Sequence, residues 1–345
     1  MTDPNVNNGT AYNIDYVING SATVHENQDV SSGVTKTAVD TIKEIAASNP
    51  EQIVDDGTAD HNLRYIGADP NNYVSFNGEL WRIIGVMNNI DDGTGTKETR
   101  LKIIRNEPIG EYSWDNKAIG TGSSTSEYGS NDWSDSALQL VLNSGAYWNR
   151  TTGECPYGQN GATTPCDFSA TGLTDDAKSM IENAIWTLGG LSRTSDDANY
   201  YETANSSIWY TYERNAIVYN ERPTEWIGQI GLMYPSDYGY ATSGGNTTDR
   251  TTCLANPLYR WNSISYVSND CYKENWIYIN DAIQWTLIPY SDSDYLVFRI
   301  HNTGSIGGNR ADDSKNSISP TTYLSSDIRI VGGDGSEGNP FQLSL

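Results

Sequence analysis

The sequence predicts an α+β protein. Two observations carry this: stretches with helical spacing sit among many short, non-uniform stretches with strand character, and strand and helix do not alternate regularly enough for a βαβ array.

Residues 1–60 read as an N-terminal extension and linker, and residues 61–345 as the main domain. "AYNIDYVINGSATV" fits a strand pair turned at Asn19-Gly20. "VTKTAVDTIKEIAASNP" puts Val34, Ala38, Ile42, Ile45 and Ala46 on one helical stripe that ends at Asn49-Pro50. The polar "DDGTADHN" (55–62) reads as a linker or long turn. "YVSFNGELWRIIGVM" fits a hairpin turned at Asn77-Gly78, with Leu80–Met87 as a central strand. "RLKIIRNEPI" is the next strand. Asp91, Asp92 and Gly93 lack the ligand spacing of an EF-hand and read as a hairpin tip.

In "NDWSDSALQLVLNSG", Asp132 or Ser134 caps a helix whose buried stripe is Ala137, Leu138, Val141 and Leu142. In "TGLTDDAKSMIENAIWTLGG", Thr174 caps a second helix carrying Ala177, Met180, Ile181, Ala184 and Ile185 on one face. Ile227–Met233 reads as a strand turning at Pro235 into one helical turn. "ENWIYINDAIQWTLIP" reads as a hairpin or bulged strand, and Tyr323 and Ile328–Val331 as late strands before a Gly-rich turn.

Of the 345 residues, 44 are acidic and 21 basic, a net charge of -23. Nucleic acid is not expected as a partner and anionic membrane surfaces are disfavoured, because both need Lys and Arg against phosphate, and no direct membrane insertion is expected. The acidic surplus reads first as solubility. No cofactor and no metal site is expected, with calcium the metal such a surplus would suit. The four cysteines permit three pairings. The local one, Cys155 with Cys166 and Cys253 with Cys271, closes one Gly/Asn/Pro-rich loop each and implies an oxidising compartment. No apolar run is long enough to span a membrane, and "MTDPNVNNGT" reads as a mature start whose leader has been removed. A secreted or cell-surface location is expected.

The ordered segments "ELWRIIGV", "NDWSDSALQLVLNSGAYWN", "GLTDDAKSMI", "IGLMYPSDYGYA", "WTLIPYSDSDYLVFRIHNTGSI" and "SISPTTYLSSDIRI" resemble a family of uncharacterised surface proteins of gut Firmicutes. That family is related to the C-type-lectin-like fold, which also houses formylglycine-generating enzymes and the variable proteins of diversity-generating retroelements. The resemblance covers about residues 61–340. It implies a C-type-lectin-like core of two helices on a small, twisted, mostly antiparallel sheet with long irregular inserts, whose ligand face lies near the late strands. Relatives commonly close with an apolar-Arg-Pro step; here Ile318-Ser319-Pro320 stands there, so that Arg is missing.

Chemistry is hard to place in this chain. The paired cysteines leave no free nucleophile for formylglycine-type chemistry. His25, His61 and His301 stand in three separate segments. Acidic pairs of the kind glycosidases use arise by chance among 44 carboxylates. No enzyme activity is expected, with glycan hydrolysis the alternative.

The segment from Trp285 to Ser314 remains. Alternation from Tyr295 turns Leu296, Phe298 and Ile300 to the core and Val297, Arg299 and His301 outward. Its Tyr, Ser, Asn, Gly and Arg are residues that binding loops favour, and a solvated loop has the same composition. The expected ligand-binding set is Tyr290, Asp292, Asp294, Tyr295, Arg299, His301, Asn309, Arg310 and Asp312. A second aromatic run over 200–226, with Tyr200, Tyr201, Trp209, Tyr210 and Tyr212, reads as a buried cluster in preference to a sugar platform. The function expected is adhesion or ligand binding at a bacterial surface, with a protein or glycan partner. The alternative is a pilin-like or surface-layer subunit that assembles by strand addition through residues 1–60.

Overall fold

The computed structural model describes residues 36–116, 128–261 and 270–345 in full, and residues 12–16 and 22–26 as backbone strands. The chain divides into two units, Met1–Lys36 and Thr37–Leu345. In the first, Tyr12–Tyr16 and Ala22–Glu26 pair antiparallel, from Tyr12 opposite Glu26 to Tyr16 opposite Ala22. The expected turn at Asn19-Gly20 and the stripe position Val34 lie outside the described residues.

The boundary expected near residue 60 falls at 36/37. The helix Ala38–Ser48 belongs to the main unit because Ala38 and Ile42 are buried in its core. Thr37 caps the helix in a reciprocal capping box with Asp40, and Asn49 ends it. Residues 55–62 are not a linker either. Asp56 accepts from the Thr58 backbone N–H, the Asn62 amide and Arg64 Nε, so this polar stretch is a packed, hydrogen-bonded loop.

The main unit is mixed α+β, with more sheet than helix. A nine-stranded sheet carries Ile230–Gly231, Thr321–Tyr323, Lys97–Arg105, Glu79–Asp91, Tyr73–Phe76, Phe341–Ser344 and Arg329–Gly332 in that spatial order. Ile53–Asp55 and Leu63–Tyr65 join it beside the second half of Glu79–Asp91. One pair is parallel, Phe341–Ser344 on Tyr73–Phe76. The sheet is therefore larger than expected, and six short α-helices, not two, occur among the described residues.

The hairpin at Asn77-Gly78 forms as read: both residues have positive φ, 59° and 75°, the pair of left-handed conformations that a two-residue hairpin turn needs. Glu79–Asp91 is hydrogen-bonded on both sides, which buries Trp81, Ile83 and Val86 completely. The tip at Asp91–Gly95 is closed by Asp91 Oδ1, which accepts from the Gly93 and Gly95 backbone N–H groups.

Asp132 caps only a single 3-10 turn, Trp133–Asp135, while Ser136 caps the α-helix Ala137–Asn143. The helix begun at Thr174 stops at Ser179. Ala184–Thr187, expected to continue it, forms a strand paired with Glu225–Gly228. Its Ile-Trp-Thr run suits a pleated surface, and Arg100 fixes the break by donating to the Asn183 carbonyl and pairing with Glu182 at 2.7 Å. The strand expected over Ile227–Met233 is split, because the Asn143 side-chain amide bonds both the N–H and the carbonyl of Ile230.

Both disulfides take the local pairing, Cys155–Cys166 and Cys253–Cys271, with Cα–Cα separations of 5.8 and 5.6 Å. Among the described residues, no helix is long and apolar enough to cross a membrane.

Candidate functional site

Gln284–Pro289, Leu296–Ile300 and Ile306–Arg310 form a three-stranded antiparallel sheet. Leu296–Ile300 is its middle strand and is covered on both faces, so Val297 is as buried as Phe298 and does not face outward. Tyr290 is also buried, its ring stacked on Phe298 at 3.8 Å between centroids. Gly308 lies beneath that ring; a Cβ there would stand 2.1 Å from Tyr290 Cε2. Asp294 and Asp312 are buried too, and Arg310 donates to both Asp312 carboxylate oxygens, at 3.0 and 3.2 Å. These three cannot present side chains to a ligand.

The other six expected residues are partly accessible and mostly engaged within the protein. Arg299 pairs with Asp313 at 3.1 Å and donates to Asn316. Asp292 accepts from Thr194 Oγ1 at 2.9 Å and faces Arg193. Asn309 donates to Asp313. Tyr295 packs against Tyr128, over which the Arg310 guanidinium also lies.

His301 is largely enclosed. Burial, helped by the Arg299 charge, lowers its pKa to about 4. The unfolded chain therefore binds a proton between pH 6.5 and 4 that the folded chain refuses. Stability from this group is complete above 6.5 and is lost as pH falls through that window, by about 2 kcal/mol after allowance for solvent screening. In urea titrations, His301→Asn is expected to gain that amount relative to the native chain between pH 6.5 and 4. A constant gap across the window would contradict the burial of a neutral imidazole.

A different set of residues converges on a cleft of about 260 Å³ at the other sheet. Alternation along Lys97–Arg105 turns Arg100, Lys102 and Ile104 to one face and Leu101 and Ile103 to the other. Lys102 thus enters the protein beneath the helices Ser206–Glu213 and Pro235–Tyr240. Pro235 and the Tyr234–Asp237 capping interaction start the latter helix and fix the Asp237 carboxylate inward. Asp237 accepts from Lys102 Nζ at 2.5 Å, Arg64 Nη1 at 2.5 Å and the Tyr234 backbone N–H at 2.9 Å. All three side chains are almost fully buried.

Charges in this site are strongly perturbed. Burial would push the Asp237 carboxyl up, but Lys102 and Arg64 outweigh it and hold it at about 2. Burial draws Lys102 down to about 8 against the pull of Asp237. Rings surround its ammonium: Tyr234 at 4.2 Å, Trp186 and Tyr323 at 5.3 Å. Glu213, fully buried, is pushed up by desolvation despite Arg214 and Ser236. Arg64 also binds Asp56 at 3.0 Å. The buried group therefore sets Arg64, Lys102 and Arg214 against three carboxyls, Asp56 and Asp237 held low and Glu213 pushed up by burial.

Several donors at this cleft lack protein acceptors. Among the described residues, Asp237 is the one hydrogen-bond acceptor for the three N–H groups of Lys102. Arg214 lies over the Tyr210 ring at 3.5 Å, faces Asp60 with Nε at 4.0 Å and donates through Nη1 to the Tyr210 carbonyl and Glu213, leaving Nη2 without an acceptor among the described residues. The Tyr323 hydroxyl bonds no described residue. At the mouth stand Asp60, which accepts from Tyr210 and Asn89, and the exposed Glu225. Tyr200–Tyr212 serve mainly as packing: Trp209 is fully buried, and Tyr201 meets Tyr259, Tyr290 and Phe298 edge-on or tilted. Tyr210 is the one of them that also lines the cleft.

The sequence signal for this site is a lysine inside an apolar strand, "RLKIIR". Nothing local joins it to Asp237, 135 residues away. The cysteines are all in disulfides. Among the described residues, no group of three or more His, Cys, Asp or Glu side chains is arranged to hold a metal ion. No protein-family model, curated protein or solved structure matches the chain.

Proposed function

We propose that this is a secreted or cell-surface ligand-binding protein of a bacterium, with a C-type-lectin-like core, and that it holds its ligand in the cleft above Lys102 and Arg214. One observation carries the proposal. In a protein whose late-strand polar groups are mostly engaged with one another, this cleft has a buried cation, a stacked guanidinium and a phenol with unused donors. Buried donors without partners cost free energy, so their convergence on an open cavity favours a ligand role. The two disulfides suit an oxidising exterior. The order of segments over 61–340 supports the lectin-like core and the bacterial surface.

The test is an array of glycans and host proteins, run with calcium and with chelator. Three proteins are compared: the native chain, Arg214→Met, and the double variant Tyr295→Ala/Arg310→Ala. The expected result is binding that survives chelation, is kept by the double variant and is lost by Arg214→Met. Loss in the double variant with retention in Arg214→Met would return recognition to the late-strand face and overturn the cleft as the site.

A further inference from the structure

We infer that the group seated on the floor of this cleft is a carboxylate, carried by a small solute or by the end of a glycan, and held by Lys102, Arg214 and the Tyr323 hydroxyl. This rests on the cleft being the ligand site and adds the chemistry of what fills it. Three unused donors from three elements face one space: a strand supplies Lys102, the end of a helix Arg214, and a second strand Tyr323. Donors of this kind want an anionic acceptor, and a guanidinium suits the planar carboxylate.

The sign and size of the charge narrow the class. On the floor, Arg64, Lys102 and Arg214 meet the carboxylates of Asp56, Asp237 and Glu213, the last pushed up by burial, so there is no large cationic excess to hold a doubly charged ligand. The mouth carries Asp60, Asp91 and Glu225 with one cation, Lys97, a net negative charge that repels a second negative charge on the ligand. A monoanion fits this arrangement and a phosphate dianion does not. The same mouth carboxylates favour hydroxyl or ammonium donors on the outward side. An acidic monosaccharide and an α-amino acid both meet this description. The cavity, about 260 Å³, is of a size for one such unit.

Lys102 gives the binding a pH dependence. The groups that face it are Asp237 and Tyr234 at the start of one helix, Arg214 at the end of another, and Arg64, Trp186 and Tyr323 from strands. It is cationic below about 8 and neutral above. Carboxylate affinity should therefore fall as pH rises through that value, and binding at pH 8 should take up a fraction of a proton.

Isothermal titration calorimetry tests this with galacturonate, glutamate, galactose, the methyl ester of galacturonate and inorganic phosphate as probes. The expected result is that galacturonate or glutamate binds at pH 7, that galactose and the ester do not, and that buffers of different ionisation enthalpy reveal proton uptake at pH 8. Which of the two carboxylates binds separates a glycan terminus from an amino acid. Tyr323→Phe, which removes one hydroxyl and leaves the fold's charges alone, should weaken binding about fivefold. Arg214→Met should weaken it about tenfold or more. Tighter binding of phosphate, equal binding of ester and acid, or no heat from either carboxylate overturns the inference. If the array finds an Arg214-dependent neutral ligand, the cleft stands as the site and only the carboxylate assignment fails.

Discussion

Asp237→Ala is expected to destabilise the protein by about 3–5 kcal/mol in urea unfolding at pH 7. The carboxylate is the shared acceptor of Lys102 and Arg64, both at 2.5 Å and both almost fully buried. Removing it leaves two cations in the interior with Asp56 as the one firm counter-charge in contact with Arg64. It also removes the side-chain acceptor for the Tyr234 N–H at the start of the helix Pro235–Tyr240. The deficit should depend on pH in a specific direction. Lys102 sheds its proton more easily without Asp237, so the loss for Asp237→Asn should shrink as pH rises toward about 8 and level off above it, where Lys102 is neutral in both folded proteins. A loss below about 1 kcal/mol would mean that water screens this site.

Tyr290→Ala should cost about 3 kcal/mol or more, as large-to-small changes at buried aromatics do. Its ring covers Phe298 and Gly308 and meets Tyr201 edge-on. Tyr295→Ala, at a partly accessible position whose one aromatic partner among the described residues is Tyr128, should stay within about 1 kcal/mol of the native chain. Thermal and urea unfolding of the two variants decide the matter. Equal losses would contradict the burial that separates them. The contrast also matters for binding studies, because a combined substitution at both tyrosines would confuse lost stability with lost recognition.

What was legible in the sequence was local. The turn at Asn77-Gly78 needs two left-handed residues, and its residue types announce it. The helix Ala38–Ser48 follows from its spacing, and the cap at Thr174 from a side-chain oxygen placed before its helix, while the cap at Thr37 emerged only in the structure. The disulfides follow from two cysteine pairs, each bracketing one loop. What failed depended on partners far away in the chain. Ala184 and Ile185 continue a helical stripe on paper, yet they pair with Gly228 and Ile227 of a distant strand. Val297 alternates outward on paper and is buried by layers on both sides. Asp56 and Asn62 look like linker residues until Arg64 and Tyr210 close over them.

The candidate site shows the same division. Loop composition drew attention to residues 289–314, where side chains satisfy one another: Arg299 with Asp313, Arg310 with Asp312. The cleft instead combines Lys102, Arg214, Asp237 and Tyr323, which share no motif. Only the topology of the sheet and the two helices above it brings them together. A lysine at an alternating position of an apolar strand was the available clue, and its meaning depended on which face the helices cover.

Hydrogen exchange of the native chain, with and without the carboxylate that the titrations select, tests the central claim most directly. Slowed exchange in peptides spanning residues 60–62, 87–91 and 210–214, with residues 292–313 unchanged, is the predicted result. Protection confined to 292–313, or none at the cleft while ligand is bound, would contradict the assignment of recognition to the Lys102 cleft.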